Sequence, residues 1–110
     1  MKNLKNETLE VLQSHGKTAK DVCWVGTKER EIPLDVFWKV ADRNYDDGYG
    51  MAEVNESLMV VGDAWWLERH EYDGAEWWEY KEHPTKPITT EAEDAIYAIF
   101  GGIKYRWVYG

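Results

Sequence analysis

Glu68, His70 and Glu79 form the first group of side chains whose types and spacing could do chemistry, and a hairpin brings them together. Asp73-Gly74 lies between two aromatic-rich runs, Trp65 to Tyr72 and Ala75 to Lys81. Asp-Gly suits a type I′ turn, whose two central residues both need positive φ. With a two-residue loop, Tyr72 stands opposite Ala75. The register then sets His70 against Trp77, Arg69 against Trp78, Glu68 against Glu79, Leu67 against Tyr80 and Trp66 against Lys81. Two carboxylates beside an imidazole are the parts of an acid/base pair or of a metal site, and between tryptophan platforms they suit glycosidic hydrolysis. The blander reading is a salt-bridged surface. Like charges directly opposite on a sheet are destabilising, and Lys81, diagonal to Glu68, offsets them. A chain of 110 residues leaves little scaffold for a deep cleft, so the surface reading is preferred.

The second group is Asp42-Arg43-Asn44-Tyr45-Asp46-Asp47-Gly48-Tyr49-Gly50-Met51-Ala52-Glu53. It resembles the twelve-residue calcium loop of EF-hands, which takes oxygen ligands at its first, third, fifth and last places. That resemblance implies calcium held by Asp42, Asn44, Asp46 and Glu53. It departs from the pattern at Asp47, where the family has glycine for a sharp turn, and Gly48 comes one residue late. The alternative is an acidic connection in which Asp46, Asp47 and Gly48 make turns while Tyr45 and Tyr49 pack inward. Other candidates are bare. Cys23 sits in an apolar run with no histidine near it and reads as a buried, inert thiol. His15 and His83 lack metal-spaced partners. No serine or threonine sits in a nucleophile elbow, no glycine pair has the context of a phosphate loop, and no catalytic motif is recognised, so the expectation is a protein that is not an enzyme.

The elements that must position these groups follow from periodicity. Asn6 can cap a short helix through about Gln13 with Leu9, Val11 and Leu12 on its apolar side. Val22 to Val25 reads as a buried strand. Pro33 takes a first-turn position before a helix whose apolar side is Leu34, Phe37, Val40 and Ala41, with Trp38 beside them. Leu58 to Val61 is a strand, and Gly62-Asp63 is its turn into the Trp hairpin, which would set Val60 against Trp65, Met59 against Trp66 and Leu58 against Leu67. Thr90 to Glu93 is a capping box for a third helix with Ala95, Ile96, Ile99 and Phe100 on one side. Ile103 to Tyr109 alternates as a final strand. The expected architecture is α+β: one domain over residues 1–110, an antiparallel meander over about residues 57–82 with further short strands, and two to three helices packed on the sheet.

Strand alternation divides the tryptophans. Leu58, Val60, Trp65, Leu67, Trp78 and Tyr80 share one nearly pure apolar face, the expected core. Met59, Val61, Trp66, His70, Tyr72 and Trp77 share the other, interrupted by Glu68, Glu79 and Lys81. If another element covers that second face, it is simply more core. If it stays open, Trp66, His70, Tyr72 and Trp77 with Glu68 and Glu79 make an aromatic patch with an acidic rim, the composition of a contact hot spot.

Charge narrows the partners. The net charge is −8, and residues 63–83 carry seven acids against Arg69 and Lys81. A face of that sign argues against direct nucleic-acid binding, which needs clustered Lys and Arg. One cysteine allows no intrachain disulfide and fits a reducing compartment. With no stretch of signal-peptide or membrane-spanning character, the expected location is cytoplasmic, with no membrane partner.

The run from Phe37 to Pro84 resembles small proteins encoded by bacteriophages and integrative elements of bacteria. The resemblance is carried by Tyr45-Asp46-Asp47-Gly48-Tyr49-Gly50, Val60-Val61-Gly62-Asp63, Trp65-Trp66-Leu67-Glu68-Arg69 and Tyr72-Asp73-Gly74-Ala75-Glu76-Trp77-Trp78. It implies an accessory role in a mobile element and carries no activity with it. The functional expectation is a protein-interaction module, or a homodimer, that uses the Trp66/Trp77 face and needs no cofactor. The alternatives are calcium or small-ligand binding through residues 42–53, and an acidic mimic of nucleic acid that inhibits a host enzyme.

Overall fold

Asp73 and Gly74 take φ values of 50° and 89°, the two left-handed positions that a type I′ turn demands. The hairpin they close therefore has the expected register, from Trp66 opposite Lys81 through Tyr72 opposite Ala75. The structure is a computed structural model that describes residues 1–46, 50–88 and 99–100. Its elements in chain order are β1 (Lys2–Asn3), α1 (Leu4–Ser14), β2 (Val22–Gly26), β3 (Glu31–Ile32), α2 (Leu34–Val40), β4 (Asn44–Tyr45), β5 (Met59–Gly62), β6 (Trp65–Tyr72) and β7 (Ala75–Glu82). Five strands form one antiparallel sheet in the order β3-β2-β5-β6-β7, and β1 pairs with β4 in a small second sheet. This is an α+β fold with the meander at residues 59–82. The expected third helix falls largely, and the final strand at Ile103–Tyr109 wholly, outside the described residues.

Both helices pack on one face of the large sheet. Leu12 from α1, Phe37 from α2 and Ala41 at the end of α2 bury against Val25, Leu58, Val60, Trp65, Leu67 and Trp78. Leu12, Val25, Val60 and Leu67 lose all contact with solvent. Burial on this scale is the main driving force for the fold, at about 25 cal/mol for each Å² of apolar surface removed from water. Helix α1 starts earlier than expected. Asn3 is its cap, accepting the Asn6 backbone N–H at 3.0 Å, so Asn6 lies inside the first turn. Pro33 occupies the cap position of α2 rather than its first turn. Val40, expected on the packed side of α2, is instead exposed, because seven residues bring only Phe37 fully into the core.

The β5–β6 register differs from expectation by two residues. Met59 faces Glu68, Val60 faces Leu67 and Val61 faces Trp66. The turn is Asp63-Ala64 rather than Gly62-Asp63, with Ala64 at φ 66° and its carbonyl accepting the His83 N–H at 2.9 Å. Gly62 is needed on the strand itself, since a Cβ there would run into the Trp65 indole. A shift of two preserves the alternation, so every residue keeps its assigned face. Cys23 corrects a second expectation: it is exposed. Val22 pairs with Gly62 and Trp24 with Val61, which leaves Cys23 as the extra residue of a bulge, outside the alternation that buries Val22 and Val25.

Candidate functional site

The outer face of the sheet is built from every second residue of its strands. Trp24 on β2 stands against Val61 on β5, and Val61 against Trp66 on β6. Beyond these, Glu68 faces Glu79 and His70 faces Trp77 across the hairpin. Trp24 is 39% exposed and Tyr72 75%, while Trp66 and Trp77 are half-buried. The two described helices lie on the other side, and on this face the His83 ring lies 5.3 Å from the Trp66 ring.

The tryptophans and carboxylates here are arranged in matching units. Trp66 Nε1 donates to Glu68 Oε1 at 2.7 Å, and Trp77 Nε1 donates to Glu79 Oε2 at 3.2 Å. Residues two apart on a strand share a face, so each indole reaches the glutamate ahead of it. The His70 ring sits between the two carboxylates, with Nε2 2.6 Å from Glu68 and Nδ1 3.6 Å from Glu79. Lys81 Nζ approaches Glu79 at 3.4 Å.

Hydrogen bonds to the charged form favour ionisation. The Trp66 indole, then the His70 ring, hold the Glu68 carboxyl below its ordinary value, and the Trp77 indole does the same for Glu79. Glycosidic hydrolysis needs one carboxyl raised enough to act as an acid. Both members of this pair move the opposite way, and neither lines the clefts of about 360, 340 and 310 Å³ found among the described residues.

The lowered values carry a pH prediction. A carboxyl whose pKa is lower folded than unfolded binds its proton more weakly in the native state. Its stabilisation is complete above the ordinary value near 4.5 and disappears as pH falls through the folded values. Urea midpoints of Glu68→Gln/Glu79→Gln should therefore lie below those of the parent chain at neutral pH and converge with them as pH falls below 4.5 and through the folded values. A gap independent of pH would show that these hydrogen bonds do not depend on ionisation.

The other candidate ligands make two sets of contacts. Asp42 Oδ1 and Asn44 Oδ1 both accept from Asn3 Nδ2, at 3.0 and 3.4 Å, near the start of α1. Glu53 Oε2 accepts the Asp46 backbone N–H at 2.6 Å, and Tyr45 between them is buried. Asp47, Gly48 and Tyr49 lie outside the described residues. Among the described residues no group of three or more His, Cys, Asp or Glu side chains is placed to hold a metal ion.

A buried polar cluster behind the hairpin was not anticipated. Arg69, with 2% of its side chain exposed, pairs with Glu7 of α1 at 3.1 Å and Glu76 of β7 at 2.9 Å. It also donates to the Tyr45 hydroxyl at 3.1 Å, and that hydroxyl donates to Glu7. The guanidinium lies 4.8 Å over the Trp78 ring. Burial opposes the charge on Arg69, but the Tyr45 hydroxyl and the Glu7 and Glu76 carboxylates outweigh it and push its pKa up. Burial, with the bond to Glu7, pushes the Tyr45 phenol up as well. Glu76 also accepts the backbone N–H groups of Glu53 and Val54, at 2.6 and 3.1 Å. The cluster thus ties α1, β4, the connection before β5 and the hairpin together. The signal was present in the alternation: Arg69 follows Trp65 and Leu67, and Glu76 precedes Trp78, on the inward face.

Comparison of the chain with protein-family models, curated proteins and solved structures gives no significant match. What stands is the class, an α+β fold in which, among the described residues, two helices pack on an antiparallel sheet whose other face bears aromatic and acidic side chains. Among the described residues no helix is long and apolar enough to cross a membrane.

Proposed function

We propose that the outer sheet face is a protein-docking surface and that the chain is a non-enzymatic interaction module. The carrying observation is one sheet face on which Trp24 and Tyr72 are exposed and Trp66 and Trp77 half-buried, with the Trp66 and Trp77 N–H groups already bonded to Glu68 and Glu79. Rings whose polar edge is satisfied can be covered by a partner without stranding a donor. Aromatic anchors rimmed by polar groups are also what the centre of an interface is made from. A protein of another kind or a second copy would meet this face, and the acidity of residues 63–83 favours a basic one. An acidic mimic of nucleic acid directed at a basic host enzyme is one form of the same reading. On the resemblance of residues 37–84 to proteins of phages and integrative elements, the module serves a bacterial mobile element in the cytoplasm.

Trp66→Ala/Trp77→Ala should keep the far-ultraviolet circular dichroism of the parent chain. It should lose self-association in light scattering, or lose the partners recovered by affinity capture from the native host. Unchanged mass together with an unchanged set of partners would overturn the proposal.

A further inference from the structure

We infer that two copies of the chain join through β7, strand to strand, about a twofold axis at Tyr80, with Glu79 of each copy opposite Lys81 of the other. The surface used is the rim of the sheet, so the inference is separate from the docking face. Residues 75–82 are the last strand of the five-stranded sheet, and among the described residues β7 has a strand, β6, on one side only. The opposite rim, β3, is two residues long, whereas β7 runs for eight with no bulge and no proline. A regular rim of that length presents unpaired backbone groups and is a template for another strand.

Backbone parity limits the registers a second copy can take. His83 donates its backbone N–H to the Ala64 carbonyl, on the β6 side. Hydrogen-bonding direction alternates along an antiparallel strand, so Trp77, Glu79 and Lys81 also turn toward β6. Glu76, Trp78, Tyr80 and Glu82 then turn their N–H and C=O groups out of the rim, and a twofold pairing must set these residues opposite one another. Centred on Glu79 or Lys81, such a pairing opposes like charges. Centred on Trp78, it leaves Glu79 against Trp77 and Lys81 against Ala75. Centred on Tyr80, it opposes Glu79 to Lys81 on both sides of the axis, at the non-hydrogen-bonded positions where side chains come closest.

Two further features agree with the Tyr80 register. Within one copy Lys81 Nζ lies 3.4 Å from Glu79, so the four charges form a square with opposite signs along every side. Pro84 would fall opposite Glu76, where it has no N–H to give, and the ladder ends by itself at the Trp78–Glu82 pairs. Exposure points to the same end of the strand. Glu76 and Trp78 are buried, Glu79 and Tyr80 half-buried, and Lys81 and Glu82 exposed.

Light scattering and sedimentation of the full chain should give twice its 12.9 kDa mass at high micromolar concentration. Glu82→Pro removes an outward N–H at an exposed rim position, which a strand edge tolerates, and should leave a monomer with unchanged circular dichroism. Glu79→Lys alone and Lys81→Glu alone each oppose like charges across the axis and should weaken association by about tenfold or more. Mixing these two single variants restores opposite signs at both positions, so a dimer with one copy of each should form, a rescue open only to folded chains. A monomeric parent chain overturns the inference, whether the rim stays bare or residues 103–109 of the same chain take it. So does a dimer that Glu82→Pro and the charge reversals leave intact; if Trp66→Ala dissolves that dimer, the docking face stands without the rim.

Discussion

Arg69→Met should cost about 3–5 kcal/mol, since removing one partner of a buried ionic group strands the other charges. Glu7 and Glu76 would face each other's charge inside the protein with the only guanidinium between them gone, both being 6% exposed or less. Methionine keeps the aliphatic packing under Trp78, so the loss reports the charge rather than a cavity. Urea unfolding followed by fluorescence measures it. Glu7→Gln/Arg69→Met/Glu76→Gln should recover a large part of the loss, because the uncompensated charges go with the arginine. The recovery separates stranded charge from lost contact. A single-variant loss under about 1 kcal/mol would show that water reaches the cluster and that it is no more than a surface salt bridge. The consequence reaches the outer face, because Arg69 lies on β6 between Glu68 and His70 and points the opposite way. Arg69 ties the inward side of that strand to α1 and β4.

The hairpin was legible because its signals are local. Asp-Gly specifies a turn, the turn specifies the register, and the register specifies which side chains share a face. The second turn shows where local signals run short. Gly62 looked like a turn glycine, but its missing side chain makes room for Trp65 across the strand pair, a contact invisible until the strands are docked. The shift left the faces intact because it was an even number of residues. Cys23 was misplaced because a bulge breaks the alternation, and nothing in Val22 to Val25 announces one. The buried cluster draws on Glu7, Tyr45, Arg69 and Glu76 from four elements, so only the inward parity of Arg69 and Glu76 was open to sequence reasoning. The loop at residues 42–53 shows the converse. Its spacing resembles a calcium loop, and Asn3 of β1, the cap of α1, engages Asp42 and Asn44 in a way the spacing cannot encode.

The paired tryptophans should separate cleanly by position. Trp65 and Trp78 are 3% and 5% exposed, and each is fixed by more than packing. The Trp65 ring lies over Gly62 and stacks on Tyr80 at 5.8 Å, and the Trp78 indole donates to Thr8 at 2.8 Å beneath the Arg69 guanidinium. Replacing either with alanine should cost about 3–5 kcal/mol, the range for removing a large aromatic from a packed core. Trp66→Ala and Trp77→Ala, one residue away in each pair, should cost about 1 kcal/mol or less, since each gives up a half-buried ring and one hydrogen bond to a glutamate that water can satisfy. Urea unfolding of the four single variants makes the comparison. Acrylamide quenching supplies an independent check: losing Trp66 or Trp77 should remove mainly quenchable emission, and losing Trp65 or Trp78 mainly protected emission. Large and equal losses at all four positions would mean that the outer face is itself core, and the docking reading would fall with it. A clear split between neighbours of identical type would leave the inward member of each pair holding the hairpin and the outward member free to meet a partner.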